Sequence, residues 1–524
     1  MSRRYVCIHG HFYQPPRENP WLEAVERQES ARPYHDWNHR ITAECYAPNA
    51  ASRILDGKGR IRQIMNNYAR ISFNVGPTLL SWLEEHQPDV YSALVEADRR
   101  SILRFGGHGS AMAQAYSHMI LPLANARDRR TQVLWGIQDF EHRFGRPPEG
   151  MWLPETAVNL DSLDALAEAG IRYTLLAPHQ AEAVRPAGRA EWRSVEGDRK
   201  HTGRAYRVAL PSGRHIAVFF YHEALARGVA FENLLSDGAA FASRILEAFD
   251  GLEGEAPLVH LATDGETYGH HHRHGEMALS FALRALMRRD DVELINYGEY
   301  LERYPPTWEA RIREDTSWSC SHGIERWRSD CGCHVGRGGG WNQAWRGPLR
   351  EALDWLRDEL DRRWEQAASE VFRDPWKARD RYVEVILDRS DATLERFLAR
   401  NGASSAADGE TRALRLLELQ RHLLLMYTSC GWFFDDISGI ETVQVLRYAG
   451  RVLHLAEELF PDLQLEDAFL DRLEKAPSNV PEAGNGKRVF QRSVQPSRVD
   501  LAKAAAHYAV SSVFDHYEPV DTVY

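Results

Sequence analysis

The chain has 524 residues, a formal net charge of −11, 43% hydrophobic and 10% aromatic residues, and six cysteines. A net negative charge of this size argues against nucleic acid or an anionic membrane as the main partner, and no window is apolar for long enough to span a bilayer. The length exceeds what one simple core accommodates, so one large domain and at least one more are expected.

Through the first three hundred residues, short apolar runs alternate with amphipathic segments. Strands are predicted at 5–9, 71–75, 102–105, 150–153, 173–177, 216–220, 258–262 and 292–296, and helices at 125–144, 160–169, 231–249 and 276–289. Strand-then-helix repetition of this count predicts an α/β barrel, a parallel sheet with helices outside it. An antiparallel excursion is expected where 207–210 and 214–220 flank Pro211-Ser212-Gly213 as a hairpin. The barrel domain is assigned to 1–305. From 306 to 348 the pattern dissolves into a Trp-, Gly- and Cys-rich stretch, read as a loop over the site. Residues 349–475 carry 3.6-residue periodicity almost throughout and predict a helical bundle, followed over 476–524 by a polar linker and one more helix. Six cysteines over this length form no disulfide framework. The opening Met1-Ser2-Arg3-Arg4-Tyr5-Val6 passes into a strand without an apolar leader, so a cytoplasmic setting is expected.

Two apolar runs stop abruptly on acids. Gly150-Met151-Trp152-Leu153-Pro154 ends on Glu155, and His260-Leu261-Ala262-Thr263 ends on Asp264, with Glu266 beyond Gly265. Buried barrel strands present catalytic groups at their C-terminal ends, and glycoside hydrolysis needs two carboxylates from different strands. Glu155 could instead serve as a first-turn acid for a following helix, but its strand-end position favours the functional reading. His9 and His11 share one face of the first strand and could bind sugar hydroxyls or a metal. His108, within Gly106-Gly107-His108-Gly109-Ser110, is read as ending the third strand, and His118 follows before Ile120-Leu121-Pro122. Among His270, His271, His272 and His274, one functional histidine with solvated neighbours is expected, since consecutive residues cannot all face one ion. Cys320, His322, Cys331, Cys333 and His334 could hold a structural zinc. Their spacing is too tight for the usual pairs, so buried thiols among Trp318, Trp327, Trp341 and Trp345 are the reading adopted, with no metal. In the bundle, Ser429-Cys430-Gly431-Trp432 and then Asp435-Asp436 break an otherwise regular helix.

Together these passages resemble glycoside hydrolase family 57. His9-Gly10-His11 with Gln14-Pro15 looks like that family's first motif, 116–123 with His118 like its second, and Trp152-Leu153-Pro154-Glu155 like its third. Asp264-Gly265-Glu266 with Gly269-His270 is similar to the fourth, and Ser429-Cys430-Gly431-Trp432 to the fifth. The resemblance runs over about residues 1–475. It implies a distorted (β/α)7 barrel, a helical domain packed over its mouth, and retaining chemistry at α-glycosidic bonds. It further implies Glu155 as nucleophile and Asp264 as acid/base. Gly107-His108-Gly109-Ser110 and 320–334 depart from the pattern, which leaves the sugar and linkage open.

The expectation is therefore a retaining α-glycoside hydrolase or transglycosylase on an oligo- or polysaccharide, with no cofactor. His9, His11, Gln14, His108, His118, Trp152, Glu266, His270, Trp318, Trp432 and Asp435 are the candidate substrate contacts. Trp432 is expected to reach over the barrel mouth. Two alternatives are kept: a metal-dependent deacetylase or α-mannosidase with His9, His11 and Asp264 as ligands, and a glycan-binding protein without turnover.

Overall fold

The computed structural model describes residues 3–196, 200–252, 254–336, 339–403, 407–514 and 516–517. The chain forms two compact units. The first runs from the N-terminus to Pro15 and takes in Gln28–Ile324 and Asp380–Thr393; the second comprises Pro16–Arg27, Glu325–Arg379 and the chain from Leu394 onward. The first unit thus extends past residue 305 and recruits a later segment, where Thr131 and Arg130 hydrogen-bond the Asp380 carboxylate.

The first unit is a distorted (β/α)7 barrel. Its strands are β1 (Arg4–Phe12), β2 (Ser72–Val75), β3 (Ala113–Gln114), β4 (Met151–Trp152), β5 (Tyr173–Leu176), β6 (His215–Phe220) and β7 (Leu258–Asp264). Strand β1 pairs in parallel with β7 on one side and β2 on the other. A Phe73–Ala111 bridge links β2 to β3, β3 pairs with β4, a Gly150–Tyr173 bridge reaches β5, and β5 pairs with β6. Between β6 and β7 the His222 N–H donates to the His260 carbonyl at 2.8 Å. Apolar side chains fill the interior, among them Tyr5, Cys7, Trp152, Tyr173, Phe219 and Tyr297. Such near-continuous burial is what both faces of a helix-covered parallel sheet require.

The flanking helices start where their sequences allow. Pro77 and Pro88 open α1 (Pro77–His86) and α2 (Pro88–Arg104), where the missing N–H leaves no partner wanting. Asn125, Asn159 and Asp237 cap α3 (Ala126–Phe144), α4 (Leu160–Glu168) and α5 (Gly238–Glu247), accepting from backbone N–H groups of the first turn.

Two expectations are corrected here. Residues 102–105 are not a strand but the end of α2, whose buried Val90, Leu94, Ala97 and Ser101 follow helical spacing. Residues 306–348 are not structureless throughout, because Trp308–Ile312 forms a strand against Ala181–Pro186. With the expected hairpin of Ala205–Ala209 and β6, these strands extend a second sheet of six.

The second unit is helical, and its longest members are α6 (Arg346–Ser369), α7 (Ala407–Leu425) and α8 (Ile440–Leu459). Leu353, Leu356, Leu360 and Trp364 of α6 are buried at helical spacing, and the Trp364 indole donates to the Leu416 carbonyl of α7. No helix among the described residues is long and apolar enough to cross a membrane.

Candidate active site

The C-terminal ends of β1, β2 and β7 bring their inward side chains into register. His9 lies beside Ser72 and Ala262, and His11 beside Asn74 and Asp264. Alternate residues of a strand share a face, so each set of neighbours forms one layer of the barrel interior. His9 is within hydrogen-bond distance of Ser72 Oγ (3.1 Å) and Asn74 Oδ1 (3.0 Å). His11 Nδ1 meets the Asn74 amide at 2.9 Å, and its Nε2 meets His118 Nε2 at 3.2 Å. Trp152 stacks on both rings, with centroids at 5.0 Å from His9 and 4.8 Å from His11, and Tyr13 stacks on His118 at 3.8 Å. Burial lowers His9 and His118 to about 3, and burial with the neighbouring His118 holds His11 well below the usual histidine range. All three rings are therefore neutral at physiological pH, so they act here as hydrogen-bonding groups rather than as cations.

Glu155 follows β4 on a 3-10 turn, Pro154–Thr156. Its backbone is left-handed (φ 57°, ψ 20°), as is that of Thr156 (φ 49°), and His118 shares this uncommon conformation at φ 54°. For a side chain with a Cβ this costs on the order of 1 kcal/mol or more per residue, and such strain persists where surrounding contacts over-determine it. Those contacts are present. The Gln180 amide donates to the Thr156 carbonyl at 2.8 Å, Val158 N–H to the Thr316 carbonyl at 2.9 Å, and Trp318 N–H to the Glu155 carbonyl at 3.0 Å. On the Glu155 carboxylate, Oε2 accepts from the Trp318 indole at 3.0 Å and from the Ser319 hydroxyl at 2.6 Å.

Asp264 ends β7 and is the one exposed residue of that strand; the six before it are buried. Close packing, then the negative charges of Glu266 and Glu155, push its carboxyl well above the ordinary carboxylate range. Glu266 is instead enclosed. Its Oε1 accepts from the Tyr13 N–H at 2.9 Å and from the Tyr46 hydroxyl, and burial raises it to about 7 against the pull of those bonds. Gln14 adds a side-chain bond to the same carboxylate. Of the two acids around Gly265, Asp264 faces solvent and Glu266 braces the turn.

Other candidates are placed differently. His270 Nδ1 is hydrogen-bonded to the Glu44 carboxylate, which also holds Arg40, and its ring meets the edge of Trp37 at 6.0 Å. His108 does not end a barrel strand. Because 102–105 is helical, His108 enters β3 from its N-terminal end, away from the strand ends that carry His11 and Asp264. There it bonds Glu149 Oε1 at 2.9 Å and pairs with Glu302. In the second unit, Trp432 does not offer a face to a sugar. It is 0% exposed, lies under the Arg350 guanidinium at 4.3 Å, and donates to the Arg346 carbonyl. Asp435 is likewise buried and accepts from the Val335 N–H at 2.8 Å. Both are corrections: side chains at a helix break fold back into their own core.

The metal reading fares poorly at these residues. The ring nitrogens of His9 and His11 already face protein partners, and His9, His11 and Asp264 form no cluster with ligand atoms within 4.8 Å of one another. Such a cluster does occur in His35, Asp36 and His39, where Asp36 Oδ2 takes hydrogen bonds from both imidazoles. Of the cysteine stretch, Cys320 is buried and Cys331 and Cys333 are half-buried.

Sequence reasoning passed over Asn74, Tyr13, Tyr46 and Ser319. Asn74 carried a usable signal, since Ser72 and Asn74 put polar groups on one face of an otherwise apolar strand. Ser319 carried none, because its partner lies 164 residues away.

The family model described as Glycosyl hydrolase family 57 matches residues 13–312, and one described as Domain of unknown function (DUF3536) matches residues 341–524. A curated relative, the 4-alpha-glucanotransferase of Thermococcus litoralis, is 23% identical over 255 residues, 47% of this chain and 34% of the relative. The chain thus spans about a third of that relative's length. Among solved structures, an exo-type maltose-forming amylase from Pyrococcus sp. ST04 aligns over 98% of this chain and 92% of its own, at a TM-score of 0.66 and 16% identity. A family 57 branching enzyme from Pyrococcus horikoshii aligns over 95% and 99%, at a TM-score of 0.55 and 16% identity. These two likenesses bear on the fold alone. The barrel, the acids at its strand ends and a match over more than half of the residues converge: the chain belongs to glycosyl hydrolase family 57.

Proposed function

We propose that this chain is a retaining α-glycoside hydrolase or transglycosylase acting on an α-glucan, with Glu155 as nucleophile and Asp264 as acid/base. The observation that carries the reading is the strained, doubly held carboxylate of Glu155, with Asp264 close enough for the Glu155 charge to raise its pKa. A retaining enzyme needs one carboxylate kept ionised by donors and one acid kept protonated by negative neighbours, and environments of those two kinds surround this pair.

In the first step a Glu155 oxygen bonds to the anomeric carbon, the bond to the leaving oxygen breaks, and Asp264 gives that oxygen its proton. In the second, Asp264 takes a proton from water or a sugar hydroxyl, whose oxygen bonds to the anomeric carbon as the Glu155 ester breaks. Two inversions restore the α-anomer. His11, His118, Trp152 and Trp318 line the acids as neutral hydrogen-bonding and stacking groups, and Gln14 and Glu266 hold the turn beyond Asp264. The α-glucan substrate is supported by the family 57 match and by the curated 4-alpha-glucanotransferase named above.

Incubation with amylose, maltoheptaose and glycogen tests the reading. The expected result is α-configured product by NMR, with either new reducing ends or redistributed chain lengths. A β-configured product, or inertness toward all three substrates, overturns it.

The pH dependence follows from the same charges. A negative Glu266 beside Asp264 helps it keep its proton, so the basic limb of kcat/KM reports the two acids as a coupled pair. In Glu266→Gln that neighbour is gone, the Asp264 pKa falls, and the basic limb should move to lower pH. An unmoved limb in a pH–rate profile refutes the coupling.

A further inference from the structure

We propose that Ser319, with the Trp318 indole, is a positioning pair that holds the Glu155 carboxylate and speeds breakdown of the glycosyl-enzyme. The proposal rests on reading Glu155 as the nucleophile. Both donors converge on one oxygen: the Ser319 hydroxyl at 2.6 Å and the Trp318 Nε1–H at 3.0 Å both reach Oε2. They are fixed in place before any substrate arrives. Trp318 N–H donates to the Glu155 carbonyl, the Ser317 hydroxyl donates to the Gly323 carbonyl at 2.6 Å, and His179 Nε2 lies 3.0 Å from the Ser317 carbonyl. The Trp318 ring is braced against Trp152 at 5.1 Å.

Donors bind a carboxylate more strongly than a neutral ester carbonyl. They consequently oppose the first step, in which the carboxylate loses its charge, and assist the second, in which the charge returns to Glu155 as the ester bond breaks. Their net effect is to keep the covalent intermediate short-lived, in the way oxyanion donors act where charge develops.

This assigns a direction that a merely structural residue does not have. With 2-chloro-4-nitrophenyl α-maltotrioside as probe, the phenolate leaves readily and the second step limits turnover. In Ser319→Ala, kcat is expected to fall about tenfold and KM to fall further, so that kcat/KM rises. A phenolate burst equal to the enzyme concentration should appear, with a glycosyl adduct on the Glu155 peptide by mass spectrometry. Ser319→Thr, which keeps the hydroxyl, should restore kcat. Trp318→Phe, which keeps the ring and removes the donor, should move the constants the same way and serves as the second variant should Ser319→Ala fail to fold. Equal falls in kcat and kcat/KM with no burst, while wild-type adduct still maps to Glu155, overturn the role of Ser319 alone. An adduct on any other residue overturns the nucleophile reading and this proposal with it.

Discussion

Glu155→Gln is expected to lower kcat at least about a thousandfold on the best α-glucan, with the protein still folded. The substitution keeps nearly the same shape and removes the oxygen charge that forms the covalent bond. Trp318 and Ser319 can still donate to the amide oxygen, so the 3-10 turn over Pro154–Thr156 keeps its tethers. Removing one of three neighbouring acids also relieves repulsion with Asp264, whose carboxyl the Glu155 charge helps to raise. The melting temperature at neutral pH should therefore be no lower than that of the parent. Steady-state kinetics beside a thermal melt checks both parts; a variant that keeps a tenth of the activity rules Glu155 out as nucleophile.

Trp432→Ala is expected to be chiefly a stability defect of the helical unit. The ring is 0% exposed, carries the Arg350 guanidinium on its face at 4.3 Å, lies parallel to Tyr427 with centroids 6.5 Å apart, and donates to the Arg346 carbonyl. Truncating a buried tryptophan leaves a cavity and costs about 3–5 kcal/mol. Here it also strips the aromatic partner from a buried arginine. A chain of two units need not melt in one step, so the loss should appear as a lowered transition for the helical unit, read by calorimetry. Below that transition the ratio of hydrolysis to transfer should be unchanged. A shifted product ratio at unchanged stability would instead put the ring at the substrate.

Glu155 and Asp264 were legible because each ends an apolar run, and a buried strand that stops on an acid has to bring that acid out at its end. The helices capped by Asn125, Asn159 and Asp237 were legible for a similar reason: the signal that starts them is local. His108 misled because a short apolar run beside glycines reads equally well as strand or helix terminus. Settling 102–105 as the end of α2 moves the histidine from one end of the barrel to the other. Trp432 misled because a motif position states that an aromatic is needed and is silent on which way its ring turns.

What the sequence determined by itself was the class of fold, the two catalytic candidates and the family, all of which follow from periodicities and short motifs read along the chain. What only the tertiary structure decided was the environment of those candidates. Trp318 and Ser319 come to Glu155 across more than 160 residues, and Tyr46 comes to Glu266 across 220. These contacts set the hydrogen-bonding surroundings of the two acids. Their donors are chosen by barrel register and loop closure, which no local pattern encodes, because a hydrogen bond depends on distance in space and not on distance in sequence.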